Sequence, residues 1–149
     1  METVVVKADN DNAMPLALET LRSGNLVAFP TDTVYGLAAD PFNITAIIKL
    51  FESKGREYNK AIAILVGSMD QVDLIAENFT ENARKLTAKF WPGGLTVIVP
   101  KRKDIPDLLS SNQSIGIRML HASQYMTNNN SFQTAFDRLV FFNHFHFQT

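Results

Sequence analysis

Three short segments of this sequence combine residue types that can do chemistry. The first is Pro30-Thr31-Asp32-Thr33-Val34-Tyr35-Gly36-Leu37, where two hydroxyls of like parity follow an apolar run. At a sheet edge, Thr33 can donate to or accept from a small polar ligand. A β-turn in which Asp32 bonds its own backbone is the competing reading. The second is Lys54-Gly55-Arg56-Glu57-Tyr58-Asn59-Lys60, with three cations in seven residues. Arg56 offers a planar fork to a phosphate or carboxylate, and Lys54 and Lys60 offer mobile point charges. Gly55 allows close backbone approach. A solvated turn whose cations suit a helix C-terminus is the alternative. The third is Ser114-Ile115-Gly116-Ile117-Arg118. In a strand, Ser114, Gly116 and Arg118 share a face opposite Ile115 and Ile117. Arg118 can then clamp a carboxylate, and Gly116 marks the close approach of a ligand or another backbone. An ordinary amphipathic strand with an exposed Arg fits equally well.

Other features carry less. Lys101-Arg102-Lys103 reads as a solvated basic loop that would touch RNA only if other cations joined it. Trp91 before Pro92-Gly93-Gly94 reads as a packing anchor rather than a base-stacking platform. His121, His144 and His146 lack metal-site spacing, so no metal site is expected from them.

These segments need elements to hold them. The first part of the chain reads as alternating strands and helices. Residues 13–22 have helical apolar spacing, ended by Ser23-Gly24-Asn25. Residues 26–29 form a buried-strand candidate stopped by Pro30, and residues 34–38 a second apolar run. Asn43 or Thr45 caps a helix through Ser53. Residues 61–66 read as a strand, 69–77 and 81–90 as helices, and 95–99 and 115–119 as strands. Val4-Val5-Val6 is a short β-branched run. In the tail, Asn128-Asn129-Asn130 is a loop signal and residues 131–140 suit a short helix capped by Ser131. Phe141, Phe145 and Phe147 share a parity that would let an extended tail pack inward.

The whole chain has 149 residues, the size of one domain, and 46% of them are hydrophobic, enough for a real core. Fourteen basic against fifteen acidic residues give a net charge of -1, which excludes a strongly basic nucleic-acid-coating protein. The absence of Cys excludes a disulfide framework and a thiolate zinc site. No apolar run has the length of a membrane span, and the start lacks a signal peptide's pattern, so a soluble cytoplasmic protein is expected. Composition shifts near Arg118. Residues 119–149 hold one base, one acid, all three His and six of the eleven Phe.

Taken together, these segments resemble the YrdC-like family, the threonylcarbamoyl-AMP synthases. The matching stretches begin with Gly24-Asn25-Leu26-Val27-Ala28-Phe29-Pro30-Thr31-Asp32-Thr33-Val34-Tyr35-Gly36-Leu37 and continue with Lys54-Gly55-Arg56 and Lys60. Phe90-Trp91-Pro92-Gly93-Gly94-Leu95-Thr96 and Ser114-Ile115-Gly116-Ile117-Arg118 complete them. The resemblance covers about residues 10–119. It implies an α/β fold, a YrdC-like twisted mixed sheet with flanking helices and a concave basic face. It implies the reaction of L-threonine, bicarbonate and ATP, with Mg²⁺, to threonylcarbamoyl-AMP and pyrophosphate, for tRNA threonylcarbamoyladenosine modification. Thr33 and Arg118 correspond to threonine-contacting residues, and Lys54, Arg56, Lys60 and Ser114 to ATP-contacting residues. It also implies tRNA or double-stranded RNA and other tRNA-modification proteins as partners. Two departures stand out. Glu57 and Ala61 follow Arg56 and Lys60 where prolines are usual. Leu120 replaces a Pro, and the family's Ser-Ala-Asn segment, which supplies a central strand and ligand contacts, does not occur. Residues 1–118 therefore read as an incomplete YrdC-like domain and 119–149 as an atypical tail. Weak or absent turnover is expected, with an unpaired edge around Ile115–Arg118 unless the tail covers it. A non-catalytic RNA- or nucleotide-binding module, or a truncated or frame-shifted gene product, is the alternative.

Overall fold

The computed structural model describes residues 3–7, 9–30, 35–119 and 140–143. Helix α1 (Ala13–Arg22) ends where the Ser23 backbone N–H and hydroxyl both donate to the Glu19 carbonyl. Gly24 then turns the chain with φ +71°, and a Cβ there would sit 2.7 Å from Asn43 Nδ2. The positive φ is what favours glycine here. Strand β1 (Val27–Pro30) pairs antiparallel with β2 (Tyr35–Ala39), with Val27 opposite Ala38 and Pro30 opposite Tyr35. Helix α2 (Ile44–Ser53) is capped by Asn43, not Thr45: the Asn43 side chain accepts from the Ala46 N–H at 3.2 Å. Its buried face is Ala46, Ile47, Leu50 and Phe51.

Strand β3 (Ile64–Val66) is shorter than the sequence predicts. Ile62 N–H is drawn away to the Leu109 carbonyl at 2.8 Å, so regular pairing starts only at Ile64. The helix expected over 69–77 is a 3₁₀ segment, Met69–Leu74. Ile75 and Ala76 leave it to meet the chain after the next strand, where the Arg102 N–H donates to Ile75 and Ala76 bridges Lys101. Helix α3 (Glu81–Phe90) falls where its pattern predicts, capped by Thr80 accepting from Ala83 N–H. Strands β4 (Thr96–Pro100) and β5 (Ser114–Met119) follow, and β6 (Val140–Asn143) lies in the tail. Val140 is thus in a strand, and the rest of the helix proposed from Ser131 lies outside the described residues. Val4–Val6 forms no strand, and Val4 and Val5 are exposed.

Two three-stranded ladders result, β1-β2-β6 and β3-β5-β4. β6 runs antiparallel to β2 and also lies against β3, which brings the ladders side by side. β5 is parallel to β3 and antiparallel to β4. This corrects the expected open edge at Ile115–Arg118: β5 is the middle strand of its ladder, and the tail strand covers β2. The core packs Ile47, Leu50 and Phe51 of α2 against Ile64, Val66, Ile115 and Ile117 of the sheet, all almost fully buried. Each such side chain contributes roughly 1.5–3 kcal/mol of burial. No helix among the described residues is long and apolar enough to cross a membrane.

Candidate functional site

The site is best built outward from β5. Burial alternates along it: Ile115, Ile117 and Met119 face the core, while Ser114, Gly116 and Arg118 are half-buried on the other face. The alternation read from sequence therefore holds. On the same face, β4 places Pro100 opposite Ser114, Ile98 opposite Gly116 and Thr96 opposite Arg118. Ile98 is 74% exposed, an open apolar surface at mid-face. A Cβ on Gly116 would come within 3.1 Å of Thr96 Cγ2 and 3.3 Å of Ala63 Cβ. The close approach that the glycine signals is made by these two neighbours.

The cationic segment enters at the Ser114 end. Since Ile64 pairs with Ile117 in parallel register, Ala63 falls beside Gly116, and the chain before it comes in beyond. Gly55 takes φ +55° just after α2, so the loop turns back at once. Arg56 is partly a structural staple: its Nε donates to the Lys60 carbonyl at 3.2 Å and Nη2 to the Ala61 carbonyl at 3.0 Å. Its fork thus holds the loop that leads into β3. Burial lowers the pKa of Lys54, and the neighbouring Arg56 charge lowers it further; burial also lowers that of Arg56. An anion at this loop would relieve both penalties. Lys60 is exposed and ion-paired to Glu57 at 3.2 Å, so the departure at Glu57 ties up one of the three cations.

Arg118 stands at the opposite end of the face, four residues from Ser114, or about 13 Å along an extended strand. Its Nε donates to the Gly93 carbonyl at 2.8 Å. Thr33 lies outside the described residues, as do Thr31, Asp32 and all three His. The face thus brings Ser114 and Arg118 onto one surface, with the loop carrying Lys54, Arg56 and Lys60 at one end.

Of three further side chains, one follows its sequence reading and two do not. Trp91 is a packing anchor as expected: its ring lies 6.2 Å from that of Phe79, and Nε1–H donates to the Leu95 carbonyl at 2.7 Å. Lys101 is not solvated. It is buried, and its Nζ donates to the Ile105 and Ser110 carbonyls at 3.3 and 3.0 Å and pairs with Asp107. Burial in the Pro100–Ser110 bend leaves only Arg102 and Lys103 of the triplet exposed. Lys49 went unnoticed. From α2 its Nζ reaches the Gly24 carbonyl at 2.9 Å and Asn25 Oδ1 at 2.8 Å, fastening the turn that opens into β1. A lone Lys within an apolar helix, 24 and 25 residues from the Asn25 and Gly24 that it meets only after folding, gives no local signal.

A family model described as telomere recombination, covering Sua5, YciO and YrdC, matches residues 19–125. The threonylcarbamoyl-AMP synthase of Pyrococcus abyssi is 37% identical over 105 residues, 70% of this chain and 31% of that protein. Its Bacillus subtilis counterpart is 36% identical over 112 residues, 74% of this chain and 32% of that one. This chain therefore spans about a third of the length of these curated relatives. Among solved structures, P. abyssi Sua5 complexed with L-threonine superposes with a TM-score of 0.76 at 31% identity, over 86% of this chain and 37% of that chain. E. coli YciO shares the fold, with a TM-score of 0.70 at 18% identity over 89% of this chain and 64% of that chain. On the family match and these identities, the chain belongs to the Sua5/YciO/YrdC family.

Proposed function

We propose that the open face of β5 is a threonylcarbamoyl-AMP synthase site, with ATP at the Ser114 end and L-threonine at the Arg118 end. The observation that carries this reading is the placement on one strand face of a hydroxyl beside a cationic loop and, about 13 Å away, a half-buried guanidinium. Lys54, Arg56 and Lys60 would neutralise the triphosphate, and Ser114 would donate to it. Arg118 would clamp the threonine carboxylate, with Thr33 as its polar companion. Together these cations would form the concave basic face expected of the fold. The amine of threonine takes the bicarbonate-derived carbon as a carbamate, with loss of water. A carbamate oxygen then attacks the α-phosphorus, and pyrophosphate leaves. Such a reaction needs charge neutralisation and alignment rather than a protein nucleophile, which fits a site rich in Lys and Arg. Among the described residues no group of three His, Cys, Asp or Glu could cage a metal ion. The Mg²⁺ expected with ATP would help neutralise the triphosphate. The product would serve threonylcarbamoyl modification of tRNA in the cytoplasm.

The missing Ser-Ala-Asn segment favours one second reading, a domain of residues 1–118 that binds the ligands without turning them over. In that case 119–149 would serve only to close the sheet. Pyrophosphate release dependent on both L-threonine and bicarbonate, measured on folded chain, separates the two. Catalysis predicts release above background, though slow, since misplaced groups cost about a hundredfold. Binding of both ligands with no release supports the second reading. Binding of neither refutes both.

A further inference from the structure

The turn Trp91–Gly94 is fastened at several points, and one of them is Arg118. The Gly93 carbonyl accepts from Arg118 Nε at 2.8 Å, and the Gly93 N–H donates to the neighbouring Met119 carbonyl at 2.9 Å. One residue of the turn thus grips both the backbone and the side chain of the end of β5. The turn itself is held from behind. Trp91 N–H donates to the Thr87 carbonyl at the end of α3, its indole N–H closes onto Leu95, and its ring packs on Phe79. A Cβ at Gly93 would lie 2.6 Å from the Phe90 carbonyl oxygen, a backbone atom that cannot rotate away, so no other residue fits this turn unmoved.

The consequence for the guanidinium is directional. A guanidinium has five N–H donors in a fixed fork. With Nε committed to Gly93, the end-on pair of terminal N–H donors is left for a further partner. Among the described residues no hydrogen bond or ion pair engages them. Thr96 stands opposite Arg118 on one side and buried Leu65 on the other, so the side chain is walled laterally as well.

We propose that Gly93 is a positioning residue for Arg118: its carbonyl fixes the guanidinium so that the terminal pair meets the carboxylate of the amino-acid substrate. This rests on the assignment of Arg118 to L-threonine made above. The role is orientation, so affinity for the amino acid depends on the turn while affinity for ATP does not.

The test is a double-mutant cycle read by calorimetric titration of L-threonine and, separately, of ATP. Gly93→Ala should weaken threonine binding by about tenfold, the effect of one misaligned charge-assisted hydrogen bond, and leave ATP affinity within about twofold. Arg118→Lys keeps the charge but lacks the Nε–H and the fork, so it should lose affinity too. Gly93→Ala added to Arg118→Lys should then cost less than about twofold more. If the second substitution still cost tenfold in that background, Gly93 would act independently of Arg118 and the positioning role would be overturned. Unchanged threonine affinity in Gly93→Ala would overturn it as well. Unchanged affinity in Arg118→Lys and in Arg118→Ala would instead remove the threonine site from Arg118, and the inference with it. Should Gly93→Ala fail to fold by circular dichroism, Trp91→Phe provides the same test. It keeps an aromatic ring beside Phe79 but removes the N–H to Leu95 and part of the packed ring system. A two- to fivefold loss for threonine but not ATP supports the proposal, and equal losses for both overturn it.

Discussion

Replacing Lys101 with Met removes a buried ammonium while keeping most of its stem. The cost follows from what the Nζ serves. The Ile105 and Ser110 carbonyls, in residues that are themselves buried, each lose a donor. An acceptor stranded in this way costs about 1–3 kcal/mol. The third partner, Asp107, is 82% exposed and returns to water without penalty. No buried charge is left unpaired, so the larger penalty of a broken buried ion pair does not arise. We therefore expect Lys101→Met to lose about 2–6 kcal/mol in urea unfolding, from two carbonyls. Asp107→Asn keeps both carbonyl bonds and still offers the buried Lys101 Nζ an amide oxygen, so it should lose less than Lys101→Met. The same bend carries the Leu109 carbonyl that anchors Ile62, at the exit of the cationic loop. Lys101→Met should accordingly weaken ATP binding without touching any residue of the site. Equal losses in the two variants, or a Lys101→Met protein as stable as the parent, would refute the carbonyl argument.

Three further outcomes are expected. Glu57→Gln frees Lys60 from its 3.2 Å ion pair and removes a negative charge from the loop. ATP affinity at low salt should rise about two- to fivefold, and the gain should vanish in high salt. Lys54, its pKa lowered from 10.5 by burial and by Arg56, is held less readily protonated when folded. Between that lowered value and 10.5 the unfolded chain binds more protons, so this group makes stability rise with pH in that window. A bound triphosphate favours the charged form, so ATP binding there should take up protons, detectable as buffer-dependent heats in calorimetry; no buffer dependence would count against an anion at Lys54. Finally, removing residues 119–149 deletes β6 and uncovers the β2 edge. Light scattering should show self-association of this shortened chain, and a clean monomer would show that β2 needs no cover.

What the sequence made legible was what depends on neighbours along the chain. The helical spacing of Glu81–Phe90 lies within the segment itself, and the helix fell where that spacing placed it. The parity of Ser114, Gly116 and Arg118 needed only that the segment be a strand. Lys101 was misread because its acceptors lie four to nine residues on and meet it only after the bend closes. Val4–Val6 has strand propensity but gains no pairing partner among the described residues, and propensity alone does not hold a strand. The 3₁₀ segment Met69–Leu74 shows the same limit: its pattern suits an α-helix, but Ile75 and Ala76 gain more by pairing beside β4. For the site, the charges were visible, but Arg56 stapling its own loop and Gly93 gripping Arg118 were not. Both are side-chain-to-backbone bonds fixed by tertiary packing.

The central claim is that the two ends of the β5 face take different ligands, and separate calorimetric titrations of ATP and L-threonine into Arg56→Ala and Arg118→Ala test it most directly. The account predicts that the parent chain binds both. Arg56→Ala should lose ATP affinity by roughly tenfold or more and keep threonine, and Arg118→Ala should do the reverse. Parent chain that binds neither ligand, or two variants that each weaken both ligands equally, would contradict it.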